Sequence, residues 1–139
     1  VLDLGTGSGV VAIAAAKAGA ASVIAADVDP YAIAATGLNA EANSVVIETM
    51  LGDLTAGAPP EVDIVLVGDL FYEAGLAKRV TAFLDRCLAA GITVLVGDPW
   101  REFLPRHRLE LLAEYPGVDF GSGARPEPAS NAVFAFRAA

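Results

Sequence analysis

The chain has 139 residues, 55% of them hydrophobic, and a formal net charge of −8. That length suits one domain with a proper core and is too short for two. The charge argues against nucleic-acid binding, which needs clustered Lys and Arg; no apolar run is long enough to predict a membrane span; and a single Cys87 with a single His107 allows neither an internal disulfide nor a zinc site of Cys and His alone.

Residues 1–4 read as a strand and 10–18 as an Ala-rich helix, joined by Gly5, Gly7 and Gly9. Val23 and Ile24 make 22–26 a second strand. Asp29-Pro30 starts a helix, Asp as cap and Pro at the first helical position, and that helix runs to about Asn43. Residues 45–50 form a strand, and 55–60, broken by Gly57, Pro59 and Pro60, a loop. The unbroken apolar run 64–67 predicts a strand buried on both faces. Leu76, Val80, Phe83, Leu84 and Cys87 form a helical stripe over 73–89, which Gly91 ends. Residues 92–96 repeat the buried-strand pattern. Leu109, Leu111 and Leu112 predict a short helix over 106–115, and 118–120 and 132–136 two weaker strands. Strands alternating with helices give a parallel sheet covered on both faces. The last two strands have no helix between them, so they pair antiparallel.

In such a sheet, ligands bind outside the carboxyl ends of the strands. Gly5, Gly7 and Gly9 fall there, where glycine lets the backbone approach a ligand and the next helix N-terminus favours a negative group. Their even spacing departs from the G-x-G-x-x-G of dinucleotide enzymes, with Val10 after the last glycine. Asp3 would repel a pyrophosphate and suits a ligand with an ammonium group, such as the methionyl amine of S-adenosylmethionine. Asp27, closing the second strand, can accept both ribose hydroxyls. Asp53 can accept from an adenine amine, with Leu54 and its neighbours around the ring. One acid alone in such a place is more often a turn cap; acids at successive strand ends point to a site.

The fourth strand ends in "VLVGDLFYE". One helical turn there would put Asp69 and Tyr72 on one face. A lysine amine, with an unperturbed pKa of ~10.4, has to lose its proton before it attacks. Asp69 would orient that amine for an in-line displacement, and Phe71 or Tyr72 would wall the channel and face a cationic sulfonium. The structural alternatives are Asp69 as cap of the next helix and Phe71 as core. Cys87 reads as a core thiol, His107 as a surface residue, and Lys78 with Arg79 as a solvated helix face.

"VLDLGTGSGVVAIAAAKAGAASVIAADVDPYAIAATGLNAEAN" resembles the cofactor half of class I S-adenosylmethionine-dependent methyltransferases, whose fold is α/β, Rossmann-like, with a seven-stranded, mostly parallel sheet. The resemblance implies that the turn from Asp3 through Gly5, Thr6 and Gly7 to Gly9 holds the methionine part. It implies Asp27 on the ribose and Asp53 near the adenine, with Val28 and Leu54 completing the cofactor site. "GDLFYE" resembles the Asp-x-x-Tyr motif of a lysine-methyltransferase branch, which implies Asp69 and Tyr72 as catalytic residues, Asp69 also beside the cofactor.

"VLVGDPWREFLP" looks like the Gly-Asp-Pro-Gly-Arg stretch of the group that methylates the beta subunit of electron-transfer flavoprotein. Asp98 and Arg101 match it; Trp100 stands where that group has glycine. The resemblance implies methyl transfer to an accessible lysine of a protein, that beta subunit first, by a monomer in the bacterial cytoplasm. Other acceptors in view are a nicotinamide-like small molecule and a ribosomal protein. Cofactor binding without turnover is a further alternative, and a nicotinamide-dependent dehydrogenase is disfavoured by the glycine spacing. Family members carry an upstream segment over the cofactor; the 139 residues read as a single catalytic domain without it.

Overall fold

Two buried strands, β1 (Leu2–Leu4), whose leucines flank Asp3, and the apolar β4 (Ile64–Gly68), lie side by side in the middle of the sheet. In this computed structural model, which describes residues 1–117 and 130–139, the remaining strands are β2 (Ile24–Asp27), β3 (Glu48–Leu51), β5 (Thr93–Asp98), β6 (Leu109–Pro116) and β7 (Ser130–Phe136). The helices are α1 (Val10–Lys17), α2 (Pro30–Ala42) and α3 (Ala74–Ala89). The seven strands run in the order β3-β2-β1-β4-β5-β7-β6. β1 to β5 are parallel, and β7 is antiparallel to both β5 and β6.

Side chains alternate between the two faces of a strand. Leu2, Leu4 and Ala26 enter the larger core with Val65, Val67, Phe71 and the buried stripe of α3. Ala25 and Val23 point the other way and pack with Ala12 of α1. The sheet is thus covered on both faces, and the ends of β1, β2, β4 and β5 open onto one edge. Asp29 caps α2 as its sequence predicts, its carboxylate accepting from the Tyr31 N–H at 2.8 Å. Cys87 is fully buried, which pushes its thiol up to about 11. No helix among the described residues is long and apolar enough to cross a membrane.

The helix predicted over 106–115 is not formed. Arg106–Arg108 make a single 3-10 turn, and Leu109–Pro116 is strand β6. Leucine is a good helix former, but here pairing with β7 decides: the ladder runs from Leu109 opposite Phe136 to Pro116 opposite Ser130. A register shift between Leu111 and Ala113 leaves Leu112 as the extra residue of a bulge. The bulge breaks the period of two, so Leu109 with the adjacent Leu111 and Leu112 mimics a helical stripe in the sequence. The strand predicted at 118–120 lies outside the described residues.

Candidate active site

The glycine turn is held from both sides. Gly5 and Thr6 donate their backbone N–H groups to the Ala26 carbonyl at 2.8 and 3.0 Å, which ties the turn to the end of β2. Asp3 is 1% exposed, and its Oδ2 accepts from Thr6 Oγ1 at 2.6 Å and from the Ala12 N–H at 3.0 Å. Gly9 offers α1 no capping side chain, so Asp3 supplies the cap from the neighbouring strand. Burial raises the Asp3 carboxyl above its ordinary range, and the two hydrogen bonds oppose that rise. The sequence alone sends Asp3 to an ammonium-bearing ligand; in the structure its carboxylate is committed to the turn while still belonging to the cavity wall.

Gly7 and Gly9 have φ of 57° and 86°, the left-handed region that glycine enters without steric cost. A Cβ on Gly9 would stand 3.0 to 3.2 Å from Thr36, backbone included, so this glycine lets α1 start against α2. Thr36, fully buried, donates to the Gly7 carbonyl at 3.1 Å, and Asn39 Nδ2 to the Ser8 carbonyl at 2.8 Å. Neither residue stands out in the sequence. Their signal is two hydrogen-bonding residues three apart on an otherwise Ala-rich helix.

A cavity of about 300 Å³ opens beside the turn, walled by Val28, Leu54, Leu70 and Tyr72 with Asp27 and Asp53 at its polar positions. Asp27 Oδ2 accepts from the Gly7 N–H at 2.9 Å and Oδ1 from the Asp29 N–H at 3.0 Å. Asp53 accepts from the Thr55 N–H at 2.9 Å and from its hydroxyl, which holds the carboxyl below the usual range. A carboxylate has about four lone-pair sites, so both acids keep capacity for ligand hydroxyls or amines. Apolar walls with two carboxylates fit an adenosine group. Gly7 and Gly9 line neither large cavity; their part in the turn is backbone shape.

A second cavity of about 710 Å³ adjoins the first, and Gly5, Gly68 and Asp69 line both. Asp69 therefore stands at their junction. Its backbone is left-handed, φ 53°, with its N–H on the Gly97 carbonyl at 2.9 Å. The stretch 69–73 is not helical, so Asp69 and Tyr72 share the smaller cavity without sharing a helical turn. Asp69 does not cap α3; Glu73 does, accepting from the Gly75 N–H at 3.1 Å. Phe71 is core, whereas Tyr72 is 59% exposed at the cavity. Arg101 grips Asp69 with two nitrogens, at 2.7 and 2.9 Å.

Trp100 also adopts a left-handed backbone, φ 65°, at the position where the related group has glycine. Its ring packs edge-on against Phe134 at 5.0 Å, its indole N–H reaches Glu114 at 3.2 Å, and Arg106 stacks over it at 5.4 Å. It is both wall of the larger cavity and cover of the core.

Asp98, the last residue of β5, is 2% exposed in that wall. Its Oδ1 accepts from the Arg101 N–H at 2.6 Å; its Oδ2 is buried and has no hydrogen-bond partner among the described residues. Burial raises its carboxyl. Such a group binds more protons folded than unfolded. Its contribution to stability is fully present below the unfolded pKa of ~3.9 and is lost as pH rises through the folded value. Asp98→Asn keeps the Oδ1 acceptor and removes the buried charge. It should abolish the share of the stability loss between acid and neutral pH that Asp98 causes, which urea midpoints of the two proteins at both pH values check.

This sheet order, the glycine turn after β1 and the acids after β2, β3 and β4 together define a class I S-adenosylmethionine-dependent methyltransferase fold. The family described as ribosomal protein L11 methyltransferase (PrmA) matches residues 1–71, just over half of the chain, and the chain belongs to that family. It is 41% identical over 115 residues to the electron transfer flavoprotein beta subunit lysine methyltransferase of Danio rerio, covering 78% of this chain and 43% of that protein. The chain thus spans less than half the length of that curated relative. Among solved structures, a ribosomal protein L11 methylase from Lactobacillus delbrueckii subsp. bulgaricus superposes with a TM-score of 0.66 at 23% identity, over 99% of this chain and 69% of that one. A tRNA (uracil-54, C5)-methyltransferase of Pyrococcus abyssi, in complex with S-adenosyl-L-homocysteine, gives 0.68 at 21% identity, over 97% and 33%.

Proposed function

We propose that this chain is the catalytic core of an S-adenosylmethionine-dependent protein-lysine methyltransferase whose acceptor is the beta subunit of electron-transfer flavoprotein. The observation that carries the reading is Asp69 at the junction of the two cavities. When bound, S-adenosylmethionine supplies an activated methyl group on a cationic sulfonium. Asp27, Val28, Asp53 and Leu54 would hold the adenosine part, and the turn from Asp3 to Gly9 the methionine part. Asp69 and Tyr72 would then receive the acceptor amine. A fixed carboxylate orients that amine, and the apolar walls keep water from competing for it.

An alignment over 78% of the chain necessarily crosses its centre, where Asp69, Tyr72, Asp98 and Arg101 lie, whereas the family match ends at residue 71. That favours the flavoprotein subunit over a ribosomal protein. The net charge of −8 suits a cationic protein segment rather than nucleic acid. A reducing cytoplasm fits the single buried thiol.

The test is methyl transfer from labelled S-adenosylmethionine to purified electron-transfer flavoprotein beta subunit, with ribosomal protein L11 alongside. Label on a lysine of the beta subunit is expected. Label on L11 alone would move the acceptor, and label confined to small molecules would end the protein-lysine reading.

A further inference from the structure

Among the described residues, two arginines hold an aspartate, in contrasting surroundings. The Arg108 side chain, 8% exposed, pairs with Asp85, donates to the Arg137 carbonyl at 2.8 Å and lies 4.6 Å over the Phe136 ring. It is built into the core. Arg101 and Asp69 are 34% and 51% exposed in their side chains, at the wall of the larger cavity. Among the described residues lining that cavity, Arg101 is the one cation, against Asp3, Asp69 and Asp98. Ion pairs with this much water contact exchange partners readily, because solvent screens the gain and two long side chains lose freedom.

The backbone on each side of this pair is strained. The described residues include three non-glycine positions of left-handed φ, and two are Asp69 itself and Trp100, the residue before Arg101. Such conformations persist where surroundings hold them and gather at functional sites. Asp69 is held by the Gly97 carbonyl, Trp100 by Phe134 and Glu114.

We propose that Arg101 is a resident counter-cation: it fills the acceptor's place on the Asp69 carboxylate in the free protein, and the incoming ammonium displaces it. The inference rests on reading Asp69 as the acceptor-binding carboxylate. A guanidinium bonds both carboxylate oxygens at once, whereas an ammonium is a point charge. A lone amine therefore competes poorly. An amine carried on a protein brings further contacts with the rim and wins. Arg101 so selects protein lysines over small amines.

The experiment titrates the full chain with N-acetyl-lysine methylamide and follows the emission of Trp100, the only tryptophan. Arg101→Ala should bind this probe roughly two- to fivefold tighter than the unaltered chain, the weight of an exposed ion pair. Arg101→Lys, which keeps a competing charge, should fall between the two. In Asp69→Asn/Arg101→Ala the gain should disappear. Equal or weaker binding by Arg101→Ala, with an unchanged thermal midpoint, would overturn the proposal, since it would make Arg101 a support for Asp69. A gain that survives Asp69→Asn would overturn it too. The titration needs no cofactor, so a failure of methyl transfer would count against the enzymatic reading and not against the displacement of Arg101.

Discussion

Asp69→Asn is expected to lower kcat/KM for lysine methylation by about a hundredfold, the loss that follows when a reacting group is no longer held in its attack geometry. Asparagine is the informative replacement. It tolerates a left-handed backbone better than other non-glycine residues, and Asp69 has φ 53°. The substitution therefore removes the charge without adding backbone strain. Its effect on stability should be small, because the Asp69–Arg101 pair is half-exposed. Initial rates of methyl incorporation, with thermal unfolding as the control, check both halves. Unchanged kcat/KM would remove Asp69 from the chemistry.

Gly9→Ala is expected to cost about 2–5 kcal/mol of stability. Two terms add: about 1–2 kcal/mol for a side chain at left-handed φ, and about 1–3 kcal/mol for crowding in a packed place. The crowding is specific, since the new Cβ would stand 3.2 Å from the Thr36 backbone. Gly7→Ala is the matched comparison. It carries the strain but meets no atom within 4 Å, so it should lose only the first term. Urea unfolding of the two variants side by side reads the difference. Equal losses would show that packing of α1 on α2 does not depend on Gly9.

The parallel half of the fold was legible because its signals are local. Apolar runs such as Ile64–Val67 and the Asp29-Pro30 start need no distant partner to be read. The acids after β2, β3 and β4 could be placed for the same reason: a loop that follows a parallel strand falls at the ligand-binding edge. What could not be read depends on tertiary contacts, some between near neighbours in sequence and some far along the chain. The fate of Asp3 is decided by Ala12 and Thr6 folding back over it. The partner of Asp69 lies 32 residues away, with no local pattern linking the two. In β6, leucine's helical preference is overruled by β7, which pairs with it and is distant in sequence. Trp100 keeps a left-handed backbone where the related group has glycine, anchored by its own ring.

The claim on which the rest depends is that the cleft along β1, β2 and β4 takes S-adenosylmethionine. Titration calorimetry of the chain against S-adenosylmethionine, with Asp27→Ala and with NAD as comparisons, tests it most directly. Saturable binding of S-adenosylmethionine is expected, weakened by at least tenfold, about 1.4 kcal/mol, in Asp27→Ala, with no binding of NAD. Binding of NAD with no heat from S-adenosylmethionine would contradict it.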